Sequence, residues 1–214
     1  MVMKLYGPTL SPHLVRVLVC LEEVGAEYEL VPVNLLADEH KKPEFLAINP
    51  FGQVPVLEDG DVVLFESRTI ARYVLRKFNS DLLKDSSLVD SAMIDLWVDV
   101  EANQYFPTIS PITFQCLMMP VLGGVTDQNV IDETLPKFKK VLEVYEARLS
   151  KSKYLAGDFV SLADLCHFAL TFNLTLTPYA SVLDSYPHVK AWWESLLERP
   201  AIKKVIDMKK GAWN

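Results

Sequence analysis

Apolar residues in the first third of the chain fall into short runs separated by polar and turn-forming positions. Met3 to Tyr6 reads as a strand, after which Leu14, Val17, Leu18 and Leu21 recur at i, i+3, i+4 and i+7, one face of a helix that Gly25 can terminate. Tyr28 to Val33 predicts a second strand, Val54 to Leu57 a third and Val62 to Phe65 a fourth. Glu58-Asp59-Gly60-Asp61 joins the last two as a hairpin, because glycine adopts positive φ without steric cost. A helix is expected from about Ser67 to Lys77.

This order of strand, helix, strand, irregular stretch, strand, hairpin, strand and helix describes a thioredoxin-like α/β layer. From Ser87 onward the pattern changes and only helices are predicted. Met93, Leu96, Trp97 and Val100 share one helical face, and Phe138, Val141, Leu142, Tyr145 and Leu149 share another. Ser161-Leu162-Ala163-Asp164 is a capping-box-like start with Asp in place of Glu, and Pro187 and Pro200 suit first-turn positions that need no N–H. Polar residues between Asn79 and Leu88 interrupt the periodicity and mark a linker. The expected organisation is an α/β thioredoxin-like N-terminal domain over residues 1–79 and an all-α C-terminal domain over residues 88–214.

Composition narrows the function classes. Half of the residues are hydrophobic and 23% are charged, which is material for a packed core and not the signature of disorder. A formal net charge of −7 argues against nucleic acid or an anionic membrane as partner, so any anionic ligand must be caught by local groups. No apolar run approaches the ~20 residues of a membrane span, and the N-terminus leads into a strand, not a signal peptide; the cytosol is the expected compartment. Cys20, Cys116 and Cys166 are odd in number and far apart, suggesting neither a disulfide framework nor a zinc site, and no metal is expected. Cys20, between Leu18 and Leu21, reads as a small buried hydrophobe.

Four short segments carry candidate chemistry. Pro55 opens a strand where it cannot donate to a ladder, so it belongs to an edge or carries a special geometry such as a cis bond; the backbone of Val54 is then available to a peptide lying alongside. Glu66-Ser67 stands where a strand gives way to a helix, whose unpaired N–H groups suit a carboxylate, and Ser67 can act there as N-cap. Ser11 before Pro12 is explained structurally as N-cap and first helical residue. The same placement leaves the Ser11 hydroxyl proton free to donate, and a donor beside a helix N-terminus favours a bound thiolate over a thiol. His40, Lys41 and Lys42 form a basic cluster that is either a solvated loop or the cation source for a ligand carboxylate.

The run Asn49-Pro50-Phe51-Gly52-Gln53-Val54-Pro55, followed by Glu58-Asp59-Gly60-Asp61 and Leu64-Phe65-Glu66-Ser67-Arg68, resembles the glutathione-binding segment of cytosolic glutathione transferases, in detail the plant phi class. The resemblance continues through His40-Lys41-Lys42-Pro43-Glu44, Leu155-Ala156-Gly157-Asp158 and Ser161 to Asp164, and covers essentially the whole chain. It implies the two-domain fold above, a homodimer, and conjugation of glutathione, as co-substrate, to hydrophobic electrophiles. In it Ser11 donates to the glutathione sulfur, Val54 pairs with the cysteinyl backbone and Pro55 is cis. His40, Lys41 and Gln53 hold the glycyl end, Glu66 and Ser67 the γ-glutamyl end, and Asp164 is a folding residue.

The resemblance also implies an electrophile pocket between the domains, lined by Leu10, Pro12, Leu35, Phe114 and Met118, while Phe106, Ile109 and Met119 are either core or pocket. Pro12-His13 is similar to the Cys-Pro start of thiol-transferring relatives, with serine where they carry the reactive cysteine; a hydroxyl cannot form a mixed disulfide, so conjugation is favoured over disulfide reduction. Attack on hydroperoxides is a further expected activity. A non-catalytic carrier for flavonoid-like metabolites is the alternative from another class.

Overall fold

Strands Met3–Tyr6 (β1) and Tyr28–Val31 (β2) pair in parallel, and the helix between them, Pro12–Glu23 (α1), is the crossover that a parallel pair requires. The computed structural model describes residues 2–212, with the side chains of 210–212 outside the description; Met1 and the last two positions of the expected domain bounds therefore lie outside it. Val56–Asp59 (β3) and Val62–Phe65 (β4) complete a four-stranded sheet of order β2-β1-β3-β4, with β3 antiparallel to both of its neighbours. Gly60, at φ +62°, makes the two-residue turn between them.

Two strands differ from the expected spans, and proline is the reason in both. β2 stops at Val31 because Pro32 has no N–H to continue the ladder. β3 begins at Val56, two residues late, because the prolyl nitrogen of Pro55 cannot donate.

Helix α1 is set by both of its ends. Ser11 is the N-cap, its Oγ accepting from the Leu14 N–H at 3.4 Å, and Pro12 occupies the first turn. At the other end Gly25, at φ +62°, lets its own N–H reach Glu22 O and the Ala26 N–H reach Leu21 O, the paired bonds of a Schellman ending. Every residue from Leu14 to Leu21 is buried, Arg16 and Cys20 included, and neighbouring helices of the first unit pack against this one.

Between β2 and β3 lie a 3-10 turn, Glu39–Lys41, and a short helix, Pro43–Leu46 (α2). Phe45 and Val33 anchor this excursion on Val56 of the sheet, with Tyr6, Leu35, Ile48, Val54 and Phe65 around them. After β4, Ser67–Lys77 (α3) returns over the sheet; the Tyr73 hydroxyl donates to Asp59 Oδ2 at 2.6 Å, and Lys77 pairs with the same carboxylate.

A 3-10 turn at Asp81–Leu83 ends the first stretch, and the division into two units falls between Leu83 and Lys84, inside the expected linker. The second unit, Lys84–Leu197, is helical throughout its regular elements. Leu88–Val100 (α4), Phe106–Thr113 (α5) and Met119–Val121 (α6) form one rod broken by π turns at Glu101–Tyr105 and Phe114–Met118, with Pro111 inside α5. Gln128–Leu149 (α7), Leu162–Thr175 (α8) and Pro187–Leu197 (α9) follow.

Asp164 is fully buried at the start of α8, and its carboxylate accepts from Leu155 N, Ser161 N, Ser161 Oγ and Trp192 Nε1 at 2.9–3.0 Å. Burial pushes this carboxyl up, and the four donors oppose it by favouring the charged form. The residue ties α8, α9 and the preceding loop together.

The last helix, Pro200–Ala212 (α10), corrects the expected boundary of residues 88–214. Everything from Glu198 belongs to the first unit. The cause is a set of contacts to α1 and β2: Arg199 Nε and Nη2 each donate to the Glu23 carboxylate at 2.6 Å, Lys204 pairs with Glu22 at 2.6 Å, and the Tyr28 hydroxyl lies 3.9 Å from Met208 Sδ.

Candidate active site

The loop after β1, the excursion between β2 and β3, and the start of α3 enclose a cavity of about 420 Å³ within the first unit. All eight residues expected at the catalytic and glutathione-binding positions line it: Ser11, His40, Lys41, Gln53, Val54, Pro55, Glu66 and Ser67.

Ser11 closes one side. Its oxygen is engaged by the Leu14 N–H, so the hydroxyl proton is the part left for a ligand, at the positive end of α1. Gly7, at φ +142°, brings the preceding loop so close that a Cβ there would meet Leu14 Cδ1 at 2.7 Å. The Val54-Pro55 bond is cis, and Val54 stands outside the ladder, whose register starts at Val56.

At one end of the cavity Lys41 Nζ donates to Gly52 O at 2.8 Å and to Phe51 O at 3.3 Å; an ammonium has three donors, and the third remains for a ligand. His40 lines the same end, and its Nδ1 is buried with no hydrogen-bond partner, which a bound acceptor or donor would satisfy. The loop beneath is held by Asn49, whose Nδ2 donates to Gln53 O at 2.7 Å and whose Oδ1 accepts from Phe51 N. Gly52 has φ +56°, and a Cβ on it would lie 2.7 Å from His40 O.

At the opposite end the structure corrects one expectation. The N-cap of α3 is Glu66, at φ +70° and ψ 102°, and Ser67 is the first helical residue. The Ser67 hydroxyl is therefore not a cap; it accepts from Arg16 Nη1 at 2.8 Å. A non-glycine residue at positive φ is held in a sparsely populated conformation, and Glu66, Ser67 and Arg68 at this helix start line the cavity.

Five lining or supporting residues are not among the expected site residues. His13, Asn49, Gly52 and Arg68 line the cavity. Arg16 lies beneath it, and its only sequence signal is a charge in the middle of the apolar run Leu14 to Leu21. Of the residues expected for the electrophile, Leu35 lines the cavity. Leu10 and Pro12, half-buried beside Ser11, are not among its lining residues. Phe114 and Met118 belong to the π turn of the helical unit, the first exposed and the second half-buried, while Ile109 is core.

None of the three cysteines lines the cavity. Cys20 and Cys166 are buried, and burial pushes the Cys116 thiol up, away from the thiolate. Among the described residues no three His, Cys, Asp or Glu side chains gather as a metal ion would need, and no helix is long and apolar enough to cross a membrane.

Residues 1–76 match the family model of the glutathione S-transferase N-terminal domain, and residues 105–200 that of the C-terminal domain. The chain is 59% identical over 208 residues to glutathione S-transferase 1 of Zea mays, covering 97% of each. It is 58% identical over 209 residues to the probable glutathione S-transferase GSTF2 of Oryza sativa subsp. japonica, again 97% of each. Glutathione S-transferase I from maize, solved in complex with an atrazine glutathione conjugate, superposes with a TM-score of 0.94 at 58% identity, covering 98% of this chain and 99% of that one. With both domains matched and this identity over nearly its whole length, the chain belongs to the glutathione S-transferases, in their plant phi class.

Proposed function

We propose that this chain binds glutathione in the cavity of its first unit, holds it as the thiolate through the Ser11 hydroxyl, and joins that sulfur to small hydrophobic electrophiles. The observation that carries the reading is the placement of Ser11: its oxygen accepts from the Leu14 N–H, so its proton remains available to a ligand in the cavity beside the α1 N-terminus. A free thiol of pKa ~8.5 is only a few per cent ionised at neutral pH, and each unit of depression corresponds to about 1.4 kcal/mol. One hydrogen bond plus the helix dipole supplies the roughly two units that make the thiolate dominant.

The rest of the tripeptide follows the cavity. Its cysteinyl backbone pairs with Val54; its glycyl carboxylate meets His40, Lys41 and Gln53; its γ-glutamyl group meets Glu66, Ser67 and the first N–H groups of α3. The thiolate attacks an electrophilic carbon, the carbon–sulfur bond forms as the leaving group departs with its electron pair, and the thiol proton goes to solvent. Leu10, Pro12 and Leu35 supply apolar surface of the first unit for electrophiles of varied shape.

Ser11→Ala tests this. Its KM for glutathione stays within about twofold of the parent, its kcat with chlorodinitrobenzene falls at least about tenfold, and thiolate absorbance near ~240 nm disappears from the bound state at neutral pH. Parent-like turnover in the variant would remove Ser11 from the chemistry. Saturable binding of planar ligands by the parent, with no turnover of any electrophile, would move the chain to the carrier class.

Two coarser readings complete the proposal. Exposed apolar side chains at Phe51, Val62 and Val63 of the first unit and at Leu88, Val89 and Leu96 of α4 favour association as a homodimer, which sedimentation equilibrium would register as twice the chain mass. Three free thiols favour a reducing compartment, the cytosol, which a fluorescent fusion would locate.

A further inference from the structure

Arg16 is an arginine in the interior of a helix whose neighbours from Leu14 to Leu21 are otherwise apolar, and it is 1% exposed. A guanidinium keeps its charge and only donates, so such burial is costly unless the group is well engaged. Its Nη1 carries two hydrogens, and two partners lie within reach. Ser67 Oγ is at 2.8 Å and accepts; His13 Nδ1 is at 3.4 Å. Because the guanidinium has no lone pair to offer, His13 Nδ1 is the acceptor in that contact, and the ring proton sits on Nε2. Both partners line the cavity, whereas Arg16 does not.

The consequence for Ser67 is directional. A hydroxyl has one proton and two lone pairs; with Arg16 fixed on a lone pair, the proton cannot turn toward Arg16 and is left for an acceptor in the cavity. The same guanidinium adds a full positive charge close behind the α3 N-terminus, where the helix contributes only a partial one. Ser67, 5% exposed, has little room to choose another arrangement. We propose that Arg16 is a positioning residue for the γ-glutamyl α-carboxylate: acting through Ser67, it orients the hydroxyl proton and sets the positive potential that holds that carboxylate, and so it registers the far end of glutathione while Ser11 meets the sulfur. The inference rests on the assignment of Ser67 to the γ-glutamyl end made above.

The test uses the full-length protein with glutathione and with γ-aminobutyryl-Cys-Gly, which lacks only the α-carboxylate. In the parent, KM for the truncated peptide exceeds that for glutathione by about tenfold or more. Arg16→Gln raises KM for glutathione by about tenfold with kcat within about twofold, and leaves KM for the truncated peptide unchanged. Arg16→Lys, which keeps the charge and the fold if the glutamine variant does not fold, recovers part of the discrimination. In a Ser67→Ala background, Arg16→Lys adds no further loss, since the residue acts through that hydroxyl. Equal losses with both peptides would reduce Arg16 to a fold-maintaining role and overturn the inference. Variants that discriminate as the parent does would overturn it too. A parent that fails to distinguish the two peptides would instead remove the γ-glutamyl assignment itself, and the inference with it.

Discussion

In both Ser11 and Ser67 the oxygen accepts from a donor within the protein, the Leu14 N–H in one case and the Arg16 guanidinium in the other. Each hydroxyl thereby keeps its proton for the cavity, and each stands at the start of a helix whose dipole favours negative charge there. Gly52 acts through the backbone instead. Its positive φ and its approach to His40 O leave no space for a side chain, so Gly52→Ala must move either the His40 segment or the loop that presents Gln53. The expected result is a stability loss of about 1–3 kcal/mol in urea unfolding together with a rise of about tenfold in KM for glutathione, while kcat falls less. An alanine variant with parental KM would mean that this loop does not hold the glycyl end. Ser11, Pro55 and the basic cluster at 40–42 are legible in the chain because their signals are local: an N-cap before proline, a proline at a strand start, adjacent charges. Arg16 with Ser67 is not, because the two are 51 residues apart and only the packing of α1 against α3 joins them. Glu66 as N-cap was equally hidden. Ser67 has the better capping chemistry, and the strained φ at Glu66 that displaces it is imposed by the tertiary structure.

The β3–β4 hairpin and α3 are locked together by Asp59. Its carboxyl is held below the usual carboxylate range by hydrogen bonds from Lys77 and Tyr73, which outweigh burial. A carboxyl whose folded value is depressed contributes stability that is fully present above its unfolded value of ~3.9 and is lost as pH falls through the lower folded value. Lys77→Met should therefore cost about 1 kcal/mol at pH ~6, and the gap between variant and parent urea midpoints should close as pH falls below the unfolded value of ~3.9. A gap that persists in acid would assign the loss to the packing of the lysine stem. At this scale the element order was readable from periodicity, since α1 and α3 both show a continuous apolar face. Strand ends were not, because Pro32 and Pro55 truncate pairing by lacking a donor while the apolar pattern runs on past them.

Residues separated by almost the whole chain define the first unit, since Arg199 reaches Glu23 across 176 positions. The Glu23 carboxylate is 9% exposed and accepts two guanidinium hydrogen bonds, so Arg199→Leu leaves it buried without that partner. A loss of about 2–4 kcal/mol is expected, measured by urea unfolding and accompanied by a lower kcat, because α1 carries Ser11 at its start. Unchanged stability would mean that α10 docks through Ala201, Ile202 and Val205 alone, which are buried as well. Sequence patterning could not assign α10 to this unit: an amphipathic helix advertises an apolar face, not the identity of the surface that covers it. The assignment has a bearing on biosynthesis. A ribosome emits all of Lys84–Leu197 before the segment from Glu198 emerges, a delay on the order of ten seconds at ordinary elongation rates. The continuous helical unit can mature on the nascent polypeptide, whereas the first unit, which carries the cavity, waits for a helix that is made only after all of Lys84–Leu197.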